Sequence, residues 1–228
     1  MYKYRMTELT LRERKYAATK AALTQALVAR LKTESLDEIP VKAVCAEAQV
    51  SEATFFNYFP TKAAAVGYRV QLWSIEAQWA MQHCLATGGS HLAAVRELFA
   101  TVARAEETTP GVMREVVVFQ ARHSLAFSPL TRAEYALHFP ARVGVERLQA
   151  LGVDQLLRAG LQAAQKAGEL SPDLDLDAFT ITLMSVFFLT PLLASAQHRG
   201  TLSEHYRRQL DILLSAGLPP PSRKARHS

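Results

Sequence analysis

Apolar residues recur at helical spacing along most of the chain. Tyr16, Leu23, Leu27 and Leu31 form one stripe with charges between them, which predicts a first helix from about Thr10 to Leu31. Lys32-Thr33-Glu34-Ser35 ends it, and Pro40 suits the first turn of a second helix. Val41, Val44, Cys45 and Ala48 then fall at i, i+3, i+4 and i+7, so this short helix has a single inward stripe. Ser51 suits an N-cap, with Glu52 favouring the positive end of the dipole of a third helix that runs to Phe59 and is stopped by Pro60. Thr61 can cap a fourth helix from Lys62 to Leu85, which is apolar nearly all round and therefore expected to be buried. Beyond Gly88-Gly89-Ser90, helical segments are expected at about 91–107, 112–125, 129–150, 153–168, 174–199 and 203–215.

This pattern predicts an all-α protein. It assigns residues 1–62 to a three-helix, helix-turn-helix domain with a basic N-terminal arm, and 63–217 to a larger helical bundle. Residues 218–228 are left as a basic tail expected to be disordered. At 228 residues and 49% apolar content the chain can bury a sizeable core. The net charge of +5 lies at the two ends. Residues 1–62 carry +3, residues 63–222 carry −1, and the tail adds +3. Lys3, Arg5, Arg12, Arg14, Lys15 and Lys20 make the arm and first helix suited to a phosphate backbone.

One stretch argues differently. Ala178 to His198 contains no Asp, Glu, Lys or Arg and is long enough to cross a bilayer, so the competing reading is a lipid-associated or tail-anchored helical protein. Central Pro191, several Ser and Thr residues and the lack of flanking Trp or Tyr favour a buried interface helix and no stable membrane association. No secretory signal precedes the first helix, and Cys45 and Cys84 match no disulfide or metal spacing, which fits the cytoplasm.

Two short helices joined by a tight turn, the second bearing small, polar and aromatic side chains, match helix-turn-helix docking into a major groove. The run from Val50 through Ser51, Thr54, Asn57 and Pro60 to Lys62 resembles the TetR family of transcription regulators, with a looser likeness from Thr10 to Arg69. Three positions depart from the family pattern. Gln49 stands where the turn usually has glycine, no glycine follows the first helix near Glu34, and Phe56 replaces a tyrosine. Gln49 implies a slightly different turn.

Chemistry assigns roles within that run. Asn57, the only asparagine, can pair in bidentate fashion with adenine, Thr54 can meet a phosphate or a thymine methyl, and Tyr58 can donate to a phosphate. Ser51 and Phe56 complete the surface of the third helix. Thr61 and Lys62 bring helix-start amides and an ammonium group to a phosphate, with Lys42 a weaker candidate of that kind. Phe55 and Phe59 are expected to pack against the first helix.

The resemblance implies a ligand-responsive repressor that binds a palindromic operator in double-stranded DNA as a homodimer. It also implies a small effector in the larger domain, and dimerisation through Asp154 to Gly168 and Asp177 to Arg199. Phe179, Met184, Phe187, Phe188 and Leu192 are the expected interface residues. Trp73, Trp79, Met113, Phe119, Gln120, His123, Tyr135 and Phe139 are candidates to line a largely apolar effector pocket. The histidines form no i, i+4 pair, and no P-loop, nucleophile elbow or dinucleotide turn occurs, so neither metal, cofactor nor enzymatic activity is expected.

Overall fold

A computed structural model describes residues 9–122, 127–197 and 200–219. Among them every regular element is helical: α1 (Leu11–Arg30), α2 (Val41–Glu47), α3 (Glu52–Tyr58), α4 (Lys62–Ala86), α5 (His91–Thr108), α6 (Val112–Arg122), α7 (Arg132–His138), α8 (Val153–Lys166), α9 (Leu176–Gln197) and α10 (Leu202–Ala216). Helix starts follow side-chain caps. Ser51 accepts from the Thr54 amide, Thr61 from that of Ala64 and Ser90 from that of Ala93, while Thr10 with Glu13, Thr131 with Glu134 and Thr201 with Glu204 form capping boxes.

Helices α1 to α3 pack on one another as a small N-terminal part, the small domain, whose apolar core runs on into that of the later helices. Phe55 and Phe59 are buried with Leu23 and Leu27 of α1, Leu31 just after it, and Val44 and Cys45 of α2, as the stripe pattern requires. Burial raises the Cys45 thiol above its ordinary range, consistent with a small hydrophobe. The turn between α2 and α3 contains Gln49 at φ +55°. It therefore takes the left-handed conformation that glycine adopts without cost, here in a residue that carries a Cβ.

Helix α4 leaves the small domain and becomes the axis of the larger one. Its buried polar side chains explain how a core helix carries Gln71, Ser74 and Gln78. Gln71 donates to the Ser128 carbonyl, Ser74 exchanges hydrogen bonds with Leu151 O and N (2.7 and 2.8 Å), and Gln78 donates to Gln149 O at 2.6 Å. A stripe at i, i+3 and i+7 thus pins an irregular segment whose backbone has no helical partners.

That segment corrects the sequence reading. The long helix expected over 129–150 is the seven-residue α7 followed by a single 3-10 turn at Val145–Arg147. Pro140 removes a backbone donor and disfavours helical geometry at Phe139, and Gly144 takes φ +82°.

Pro191 does not break α9. Its ring removes the amide that would bond Phe187 O, and Tyr206 of α10 donates its hydroxyl to that same carbonyl at 2.6 Å. α9 is also the described helix long and apolar enough to span a membrane, over Leu176–Ala194, with 28% of that window buried. Its exposed apolar side chains lie on one face: Ala178, Ile181, Leu189 and Leu193.

Candidate DNA interface and effector cavity

The α1 and α3 helices meet along a shallow groove lined by Leu11, Arg12, Lys15, Tyr16, Thr54, Asn57 and Tyr58. Arg12, Lys15 and Asn57 are exposed, Thr54 and Tyr58 half-buried, and the rings of Tyr16 and Tyr58 stand 4.8 Å apart. Cationic side chains from α1 and the Asn57 amide from α3 therefore share one face. Tyr16, read from its spacing as part of the inward stripe of α1, is 40% exposed and belongs to this groove. The clustering of Arg12, Lys15 and Tyr16 on one helical face was the available signal, since these positions are three and four apart.

The other expected contacts are distributed around it. Ser51 and Phe56 are exposed on α3, with Phe56 50% accessible and edge-on to buried Phe55. The Ser51 hydroxyl is occupied by the cap and by a 2.9 Å hydrogen bond with Thr54 Oγ1. Lys42 and Thr61 are exposed. Lys62 differs from expectation: its ammonium donates to the carbonyls of Asp37 (3.1 Å) and Ile39 (2.7 Å), tying the start of α4 to the α1–α2 connection. Lys20 also leaves the phosphate-facing set. It donates to buried Glu134 of α7 at 2.8 Å and stands 4.0 Å from the centre of the Tyr68 ring. Lys3 and Arg5 lie outside the described residues, as do His123 and positions 220–228 of the tail.

The larger domain encloses a cavity of about 800 Å³ between α4, α5, α6, α8 and α9. Of the expected ligand residues, Trp73, Met113 and Gln120 line it. Four do not. Trp79 stacks on His83 at 4.7 Å and donates to Val143 O, while the Tyr135 hydroxyl donates to Leu148 O at 2.5 Å. Phe139 packs beside Tyr135, and buried Phe119 on α6 is absent from the cavity wall. The aromatic count along the sequence suggested these four, but tertiary packing sends them into ordinary core or onto the α7 connection.

The expected interface residues are redistributed as well. Phe187 is 3% exposed and, with Met184 and Phe188, lines the cavity; Phe179 is buried against α10, and Leu192 is half-buried. The unpartnered face of α9 is Ile181, Leu189 and Leu193, at 65%, 51% and 59% exposure. Hydropathy could not separate these faces because α9 is apolar on both.

A contact on α6 joins the cavity wall to the small domain besides α4. On α6, beside the cavity residues Met113 and Val116, Glu115 accepts from Leu36 N at 3.4 Å. Glu106 holds the start of α6 by accepting from Gly111 N and Met113 N; burial, outweighing those hydrogen bonds, raises its pKa.

Comparison with solved structures gives the architecture a name. A FadR from Thermus thermophilus, a TetR-family transcriptional repressor in complex with lauroyl-CoA, superposes with a TM-score of 0.58 at 20% identity, over 90% of this chain and 97% of that one. The chain has the fold of the TetR-family regulators. A FadR transcriptional regulator from Bacillus subtilis in complex with stearoyl-CoA matches with a TM-score of 0.62 at 12% identity, over 86% and 97%. A γ-butyrolactone receptor, an ArpA-like protein, matches with a TM-score of 0.56 at 17% identity, over 95% and 94%. No family model and no curated protein matches the sequence. The groove of Arg12, Lys15 and Asn57 lies on α1 and α3, and α4 is the helix that joins those elements to the cavity.

Proposed function

We propose that the chain is a DNA-binding transcriptional regulator, a homodimeric repressor that binds a palindromic operator and releases it when an apolar effector fills the 800 Å³ cavity. The observation that carries this reading is the groove where Arg12 and Lys15 stand beside Thr54, Asn57 and Tyr58. In this arrangement α3 enters the major groove, Asn57 reads a base edge, and Arg12 and Lys15 of α1 hold flanking phosphates. Ser51 and Phe56 edge the contact surface, with Lys42 and Thr61 at its flank, and Lys62 acts by fixing the α1–α2 connection to α4.

Dimerisation through the exposed face of α9 supports the two-fold spacing a palindrome needs. It also accounts for an apolar helix with Ile181 and Leu193 uncovered in a single copy. A membrane-spanning α9 is the weaker reading, since its exposed apolar side chains occupy one face and its Pro191-freed carbonyl is satisfied by Tyr206. Catalysis has no part in this proposal, and a cytoplasmic location goes with it.

Effector action requires unequal affinity for two states. α4 and α6 both line the cavity and both touch the α1–α2 connection, through Lys62 and Glu115, so a ligand that displaces either helix moves the small domain. Selection of binding sequences from random duplex DNA by the purified protein tests the proposal. Enrichment of a palindrome bound by a soluble dimer is the expected result, and recovery of no sequence preference overturns it.

A further inference from the structure

Trp73, a residue of the cavity wall, carries a buried hydrogen-bond donor with nothing to donate to. Trp73 is 5% exposed, lines the cavity, and its Nε1–H is buried without a partner. A buried donor left unpaired is costly, so such groups are rare and call for a partner. The other polar groups narrow what that ligand offers. Ser74 is satisfied by Leu151, so its hydroxyl is not available. Gln120, half-buried, brings an amide that can both donate and accept. Asp154 is the one charged side chain among the described lining residues, and it is exposed at the mouth.

The ring itself is held. The guanidinium of Arg69, one turn earlier on α4, stands 4.6 Å from the Trp73 ring centre, which fixes the indole and draws electron density from it. Arg69 does not line the cavity, so the positive charge strengthens the indole donor without offering itself to a carboxylate there.

Resting on the effector reading above, we infer that the cavity takes a neutral, carbonyl-bearing lipophile, such as an ester or ketone, whose oxygen accepts from Trp73 Nε1–H beside Gln120. Val102, Met113 and Phe187 cover its apolar body. A free fatty acid is disfavoured on two counts: an ionised carboxylate is costly to bury without a cation, and Asp154 repels it at the mouth.

Methyl octanoate, octanoate at pH 8 and octane are suitable probes, with binding followed by thermal shift and tryptophan fluorescence of the full chain. The ester should bind about tenfold more tightly than the acid. Trp73→Phe keeps an aromatic ring under Arg69 but removes the N–H; it should weaken ester binding about tenfold and leave octane unchanged. Gln120→Leu should weaken ester binding several-fold, and it carries the test should Trp73→Phe fail to fold. Acid binding as tight as ester binding overturns the inference, as does ester affinity indifferent to both substitutions, or no binding by any probe. DNA titration with and without the ester separates this subsite from the effector reading. Trp73-dependent ester binding that leaves DNA affinity unchanged supports the subsite and removes the effector role.

Discussion

Lys20, on the helix that carries Arg12 and Lys15 of the groove, donates to Glu134 on α7 of the larger domain at 2.8 Å, with the Glu134 side chain 1% exposed. The pair welds one domain to the other, alongside a small apolar cluster of Leu9, Ala17, Ala133 and Ala136. Burial alone raises the Glu134 carboxyl, but hydrogen bonds from Lys20 and Thr131 outweigh it and hold the pKa below the ordinary carboxylate value.

Replacing Lys20 by Met leaves that carboxylate buried without its cation and should cost about 3 kcal/mol at pH 7. Because the folded-state pKa of Glu134 is lowered, its contribution is present above the ordinary value of 4.5 and fades as pH falls through the lowered one. The gap between wild type and variant should therefore shrink on acidification. Urea unfolding of both proteins at pH 7 and in the acid range measures it, and a pH-independent gap would count against the ion pair.

Tyr206→Phe should destabilise the protein by about 1–3 kcal/mol, since it strips the donor from the Phe187 carbonyl that Pro191 has already deprived of its helical partner. The hydroxyl is buried, and burial pushes its pKa well above the ordinary tyrosine range, so it stays a donor at any working pH. Restoring the helical amide with Pro191→Ala in the same chain should recover part of the loss. A double-mutant cycle reads this directly, and strict additivity would separate the two residues.

Gln49→Gly should stabilise the small domain. A non-glycine residue at φ +55° costs about 1–3 kcal/mol, while glycine gives back about 0.5–1 kcal/mol in extra unfolded-state freedom. The net gain expected is about 1 kcal/mol, and thermal unfolding that shows no increase would locate the compensation elsewhere in the turn.

Within the groove proposed to meet DNA the substitutions should divide by type. Lys15→Ala should weaken binding to all sequences and reduce the log-log salt slope by about 1, whereas Asn57→Ala should cost about 1–3 kcal/mol on the selected operator and relax one position. Lys62→Ala should lower stability with little change in slope, because its ammonium is engaged with Asp37 and Ile39 carbonyls. A slope change for Lys62 equal to that for Lys15 would return it to the phosphate-contact set.

The α9 faces make a paired prediction. Ile181→Glu should give a folded monomer by light scattering, while Phe187→Glu, placed against Phe99 and Tyr206 in the core, should fail to fold. A folded dimer from Ile181→Glu would move the interface off this face.

The sequence by itself determined whatever depends on near neighbours. Ser51 and Thr61 are caps because a hydroxyl reaches an amide three residues ahead, and the inward places of Phe55 and Val44 follow from period 3.6. Those local rules located the helix-turn-helix and the order of the bundle. Tertiary structure alone decided which of two apolar faces on α9 meets the core, and that Trp73 lines the cavity while Trp79 stacks on His83 outside it. It alone sent Lys20 to Glu134, 114 positions away, although composition placed it with Arg12 and Lys15. The reason is physical: side-chain periodicity states which residues share a helix face, whereas the partner of that face is chosen by packing between segments distant in the chain.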